Sequence, residues 1–493
     1  MDIQDSFSLF ILPFTFDASN FEGLPEKSIW ERSHINIAEN CFFDHIKDYL
    51  SANLKGEKID KESVVIYDLK DTFKGTSLDT KSAVSSLLKK THRIQVDGQQ
   101  IDFKFIIQKR KLTSPKLLLF PLTSVGMILF SIELTTEKSM EKLMDLNYCL
   151  EKYETNQSRI IEIVQLSDKK EELTQINNIY EALKQPERTE KFSESYWTFS
   201  QLVALLTTDL KTLNIKLTNS SRFHIYSYCQ IDSKNENQNK VELDFGRLIR
   251  CQNMNYNPLM IDISGNELVK QTFDNIYIGT CVEGAGIMVD TFASKSLFLN
   301  QFKDQAVTER YLWVYLLVYH QRLALCHMIT QLSKTEININ TKKEALLNLI
   351  SCYSKIMLKT KFTDISDFTQ HNTYYQFCMK NLAVNSYYKE LDEKLKAIDN
   401  VVDEKNDKEQ IEKTKRLENW AKSLLVPQVI FALIALYLSF HSIQFNQPFG
   451  SDFWQITIII IASILLFLLA LPAIIFGCTI FKELMRVNDK NKK

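Results

Sequence analysis

Two stretches near the end of the chain carry no formal charge, 22 residues from Leu424 to Phe445 and 29 from Phe453 to Phe481. At about 1.5 Å rise per residue, either run as a helix crosses a hydrocarbon core of roughly 30 Å, so both are expected as transmembrane helices. Only the eight residues Gln444 to Ser451 separate their helical parts, and Pro448 and Gly450 within them force a tight hairpin. Lys413, Lys415, Arg416 and Lys422 precede the first run; Lys482, Arg486, Lys490, Lys492 and Lys493 follow the second; the loop between has neither Lys nor Arg. That bias predicts a hairpin with both ends cytoplasmic, residues 482–493 forming a basic tail. Trp420 and Trp454 fall at opposite ends of it, where amphipathic rings favour the headgroup level.

The rest of the composition excludes several classes. With 59 Lys or Arg against 60 Asp or Glu, the net charge is −1, and no direct nucleic-acid binding is expected. At 45% hydrophobic residues the chain can bury cores, so disorder is not its main state, and 493 residues suggest two or three structural units. Nine scattered cysteines, with no C-x-x-C pair, read as reduced thiols facing a cytosol. Acid residues at Asp2 and Asp5 stand where a signal peptide carries base, so no export signal is expected.

Between Gly286 and Pro427 lie 140 residues without glycine or proline, a stretch expected to be nearly all helix. Three helices are expected there: Lys295 to Ser333, Thr341 to Lys361, and a long one from Ile365 or Asp367 that continues unbroken into the first apolar run, forming a stalk. Leu391, Leu395, Ile398 and Val402 follow the spacing of a coiled-coil seam. Residues 291–423 therefore read as a helical region with a stalk and 424–481 as the membrane hairpin. Residues 1–290 have the grammar of an α/β or α+β domain. Strands are expected at Ser6 to Phe16, Ser63 to Tyr67, Arg159 to Gln165 and Arg222 to Ile231, and hairpins at Ile94 to Arg110 (turning at Asp97-Gly98), at Leu117 to Leu134 and around Glu283 to Gly286. Helices are expected at Trp30 to Leu54, Ser139 to Tyr153, Asp168 to Lys184 and Thr198 to Leu213.

No nucleotide-loop, zincin or nucleophile-elbow motif is present, so no catalytic residue is assigned and the chain is read as not an enzyme. The glycines Gly279, Gly284 and Gly286 fit a hairpin turn better than a phosphate cradle. His320 and His327, one heptad apart without a ligating partner, read as core histidines. Two patterns remain. Gln428, Ala432, Ala435, Ser439, Ser442 and Asn446 recur at intervals of about three and four along the first apolar run, a small and polar stripe on a greasy helix. It reads either as a pore lining or as a packing seam between helices. In the strand from Arg222, alternation puts Phe223, Ile225 and Cys229 on one face and Arg222, His224, Tyr226 and Tyr228 on the other. The second face offers a guanidinium for phosphate and rings for a base, the equipment of a ligand-binding nucleotide pocket, although an amphipathic strand beneath a helix has the same pattern.

The order of parts, a cytosolic α/β domain, antiparallel helices, a stalk and a two-span hairpin, resembles the CorA-type divalent-cation channels. The likeness extends to the CorA-like membrane effectors associated with type III CRISPR systems. It implies a homopentamer in the cell inner (plasma) membrane whose first span lines the pore, with a divalent cation as permeant or regulatory ion. Of the Gly-Met-Asn motif that closes the pore in that family, only Asn446 has a counterpart, in Gln444-Phe445-Asn446, so magnesium selectivity does not carry over. For the effectors, the resemblance implies gating by a nucleotide second messenger, a conjugate of S-adenosylmethionine and AMP, in antiviral defence. The alternatives are a metal-regulated cation channel with Asp399 and Asp403 as sensor, and a membrane-tethered enzyme.

Overall fold

A computed structural model describes residues 1–19, 21–25, 28–33, 42–50, 63–70, 88–107, 112–154, 159–162, 196–217, 221–233, 236–261, 265–273, 275–291, 302–334, 350–351, 353–444, 461 and 464. The chain divides into two compact units, Met1–Leu395 and Lys396–Lys493. The first is a mixed α/β body built on one 14-stranded sheet.

The sheet is organised around β1 (Ile3–Thr15), whose 13 residues are mostly buried rather than alternating, as expected of a strand covered on both faces. On one side β1 pairs antiparallel with β7 (Val125–Leu134). On the other it pairs with β11 (His224–Ile231) through Ile11 and with β10 (Lys216–Leu217) from Phe14. Pro13 falls in the gap between those two partners, the place where a strand tolerates a residue without an N–H. The sheet forks at β7. Its first half pairs with β6 (Lys116–Phe120) and so with β3 (Val65–Leu69) and β2 (Trp30–Arg32). Its second half pairs with β5 (Gln99–Phe105), which leads to β4 (Thr91–Val96), β8 (Arg159–Glu162) and β9 (Tyr196–Thr198). Asp97 and Gly98 turn the β4–β5 hairpin with φ of 48° and 84°, both left-handed as a two-residue turn requires.

Beyond β11 the order is β14 (Gly284–Asp290), β13 (Ile276–Thr280) and β12 (Val269–Phe273). The β11–β14 pair is the parallel one among the described strands. Helix Gln238–Ile249 lies in its crossover connection. Glycine lets that helix lie close to the strands. A Cβ on Gly284 would stand 2.6 Å from the carbonyl oxygens of both Ile225 and Ile249, and one on Gly286 would stand 2.5 Å from that of Ser227. The glycine-rich segment thus brackets a hairpin, and its small residues serve packing.

Helices cover both faces. With α1 (Asp44–Leu50) apart, α2 (Met140–Glu151), α3 (Phe199–Thr207) and α4 (Gln238–Ile249) share the larger core. At its centre Phe199 packs against Phe10, Phe105, Phe130, Trp197 and Phe223. Ser139 caps α2 through Lys142 N, and Thr198 with Gln201 forms a capping box on α3. The opposite face is covered by α5 (Leu312–Lys334) and α6 (Thr369–Asn381). Leu312 to Val318 are all buried, which suits a helix held between a sheet and other helices.

Three sequence expectations change. Where one helix was expected from Trp30 to Leu54, the chain forms strand β2 and the seven-residue α1, because Trp30 pairs with Leu69 across β3. The helix expected from Thr198 to Leu213 gives way to a 3₁₀ segment over Thr208–Leu213. The long third helix is interrupted, since α6 ends at Asn381 and α7 (Val384–Gln444) begins after Ala383, whose φ is 53°. The helix expected at Asp168 to Lys184, the start of that at Thr341 and nearly all of Phe453 to Phe481 lie outside the described residues. Among the described residues, no helix is long and apolar enough to cross a membrane.

Candidate functional site

The alternation along β11 divides its side chains between two environments. Phe223, Ile225 and Cys229 enter the core with α2 to α4. His224, Tyr226 and Tyr228 are buried on the opposite face, the first two under α5. Arg222 does not join them. It precedes the strand, making only an isolated bridge to Lys152, so the alternation does not reach it. Its side chain is 44% exposed, and Nη1 lies 3.3 Å from Oε1 of the buried Glu151 at the end of α2. Burial raises the Glu151 carboxyl above its ordinary range, with the guanidinium pulling the other way.

Tyr315 and Tyr319, four residues apart on α5, present their rings to β11, while Tyr311 just before α5 meets Tyr374 on α6. The His224 ring stacks 4.2 Å from Tyr319 and 5.6 Å from Tyr315, and its Nε2 hydrogen-bonds the Tyr315 hydroxyl. Burial pulls the imidazole down to about 3, so it is neutral at pH 7. Tyr226 lies 5.3 Å from Tyr315. Its hydroxyl has that of Tyr374 on α6 as a neighbour, yet neither closes a hydrogen bond of good geometry. Below Tyr374, Cys378 meets Thr280 Oγ1 at 3.5 Å, and Asn381 donates to the carbonyls of Thr280 and Glu267 at 3.1 and 2.9 Å. This face is therefore filled by protein, and α6 docks on it through a partly satisfied polar seam.

At the Tyr228 end the face meets a second polar cluster. It lies at the carboxyl ends of the parallel pair β11 and β14, the place where open α/β sheets present ligand sites. The Tyr228 hydroxyl donates to Gln230 Oε1 at 3.4 Å, Gln230 Nε2 donates to Gln4 Oε1 at 3.2 Å, and Gln4 Nε2 donates to Thr291 Oγ1 at 3.1 Å. Thr291 in turn donates to the Ile231 carbonyl at 3.0 Å. Beside this chain, Lys303 pairs with Asp5 and lies 5.8 Å over the Tyr228 ring, while Ser233 holds the Asp290 carboxylate. Amide edges, a carboxylate and an ammonium beside an aromatic ring can read a polar, partly planar ligand. Sequence reasoning found Tyr228 but not Gln4, Asp5, Gln230, Thr291 and Lys303, which come from three distant segments. The one available signal was the strand, helix and hairpin order that produces a parallel pair.

The other sequence candidates lie on α7, in the core or outside the described residues. Gln428 and Ala432 are exposed on α7, the side chains of Ala435, Ser439 and Ser442 are not among those described, and Asn446 lies outside the described residues. His320 is a core histidine, its Nε2 2.8 Å from Thr123 Oγ1 and its ring 3.8 Å from that of Phe120. Among the described residues, no group of three or more His, Cys, Asp or Glu side chains could hold a metal ion. Cys149, Cys229, Cys251, Cys281, Cys326 and Cys378 are free thiols. No family model, curated protein or solved structure matches the chain.

Proposed function

We propose that this protein is a ligand-gated membrane channel or pore effector of CorA-like architecture, a homo-oligomer opened by a small nucleotide messenger in CRISPR-type antiviral defence. The observation that carries the reading is α7. It starts three residues after α6 ends, with Leu382 and Val384 both buried, and its sequence runs on into the first uncharged stretch. A ligand acts only through its different affinity for two states, so a site at the Tyr228 end gains leverage if it biases how α5 and α6 sit on that face. The partly satisfied seam of Tyr226, Tyr374 and Asn381 is the kind of contact that admits a second arrangement. The uncharged runs and their basic flanks support the membrane part, and the stripe from Gln428 to Asn446 supports a lumen.

The test is titration of the full chain in liposomes with nucleotides, S-adenosylmethionine–AMP conjugates and divalent metals, following melting, turnover and ion flux together. A nucleotide at 100 times its Kd stabilises by about 2.7 kcal/mol, opens flux and is not consumed. Turnover of the nucleotide, or a response to metal alone, overturns the proposal. Gln230→Leu weakens the response if the carboxyl-end cluster binds; Arg222→Ala weakens it if the pocket instead includes the exposed guanidinium.

A further inference from the structure

Along α7 the charges are segregated. Residues 403–412 hold the acids Asp403, Glu404, Asp407, Glu409 and Glu412 against Lys405 and Lys408, whereas residues 413–422 hold Lys413, Lys415, Arg416 and Lys422 against Glu418 alone. All of 413–420 and Lys422 are exposed. Lys413, Arg416, Leu417 and Trp420 stand at i, i+3, i+4 and i+7, so one face joins two cations to two apolar side chains, Leu417 48% and Trp420 69% exposed. Lys415 and Lys422, seven apart, serve another face. Arg416 pairs with Glu412 at 3.9 Å, both side chains largely exposed, a geometry that holds a guanidinium weakly.

We infer that this basic band of α7 binds anionic lipid headgroups. The inference rests on the membrane reading of the uncharged run that starts at Leu424. With about 1.5 Å per residue, Lys422 and Trp420 stand roughly 3 and 6 Å from the start of that run, inside the headgroup layer. Arg416, Lys415 and Lys413 stand roughly 12 to 17 Å away, within a long side chain and a Debye length of about 8 Å from anionic phosphates. A topology signal alone needs cations near the span. It does not need a tryptophan and a leucine on the same exposed face, nor acids withdrawn to the preceding turns. Trp420 places its ring among headgroups while Lys413 and Arg416 on its own face reach the phosphates.

Full-length protein is reconstituted into phosphatidylcholine vesicles and into vesicles with added phosphatidylglycerol, and recruitment of fluorescent phosphatidylglycerol or phosphatidylcholine is read by energy transfer from tryptophan. The wild type recruits phosphatidylglycerol over phosphatidylcholine, and added salt reduces the preference. Triple reversal K413E/K415E/R416E lowers it at least fivefold, while reversal of the exposed Lys389 and Lys408 leaves it within twofold. Equal recruitment of both lipids by a protein that inserts into both vesicles overturns the lipid site and leaves the membrane reading standing. Failure to resist carbonate extraction from either vesicle overturns the membrane reading, and the lipid site with it.

Discussion

His224 on β11 and His320 on α5 are imidazoles buried between the sheet and α5, and burial brings each down to about 3. Unfolded, a histidine titrates near 6.5, so below about pH 6.5 the unfolded chain takes up protons that the folded chain refuses. Stability is therefore complete above about pH 6.5 and falls as pH drops toward 3, by about 1.4 kcal/mol per pH unit for each ring. Between pH 7.5 and 5.0 the two together cost about 4 kcal/mol, and His320→Phe, which keeps the stack on Phe120, removes about half of that loss. Urea unfolding at both pH values, followed through the buried Trp30, Trp197 and Trp313, measures it; an unchanged pH slope in His320→Phe refutes the assignment. The sequence marked His320 as a core residue because no ligating partner stood near it. That His224 is equally buried was not legible, because its cover comes from Tyr315 and Tyr319, some ninety residues later.

At the scale of elements, two positions control how helices meet their neighbours. Gly284→Ala puts a methyl group 2.6 Å from two backbone carbonyls that cannot swing aside, so α4 must lift from the sheet at a loss of about 2 to 3 kcal/mol. Gly98→Ala, with open space but φ of 84°, loses only about 1 kcal/mol. Comparison of the two by chemical denaturation separates packing from backbone strain, and equal losses would show that α4 gives way easily. Ala383 ends α6 with φ of 53°, a conformation that costs a non-glycine residue about 1 to 2 kcal/mol. Ala383→Gly relieves that strain less about 0.5 to 1 kcal/mol of backbone entropy, a net gain of a few tenths to about 1 kcal/mol, whereas Ala383→Val destabilises. A loss of stability in Ala383→Gly would contradict the bend. Nothing local announces this break, for no glycine or proline is near. Tertiary contacts make it: Leu382 and Val384 are both buried, and Arg322 on α5 donates to the Leu382 carbonyl at 2.9 Å.

For the whole molecule, the decisive prediction is topological. If the flanking lysines and arginines set the orientation, Ser451→Cys in intact cells reacts with an impermeant thiol reagent and Asn491→Cys does not. The reverse pattern overturns it. Ala435→Leu and Ser439→Leu distinguish lumen from seam. Facing water, they lower ion flux while oligomers persist on size exclusion; facing another helix, they dissociate the oligomer, and flux falls only for want of assemblies.

The strand from Ser6, the turn at Asp97-Gly98 between the strands around it, and the strand pair within Leu117 to Leu134 could be read from the sequence because β-propensity, turn residues and apolar runs are local signals, and the α2 and α3 starts because Ser139 and Thr198 cap them. Charge distribution along the chain likewise set the expectation of a hairpin without any fold. What only the tertiary structure decided is which side of a strand faces what. Alternation separates Phe223 from Tyr226 in sequence, but whether the Tyr226 side meets solvent, ligand or helix depends on α5 and α6 folding back from far along the chain. The carboxyl-end cluster is decided the same way. Gln4, Gln230 and Thr291 become neighbours because an antiparallel strand and a parallel crossover bring three ends together, and hydrogen bonds between residues up to 287 apart leave no trace in local pattern.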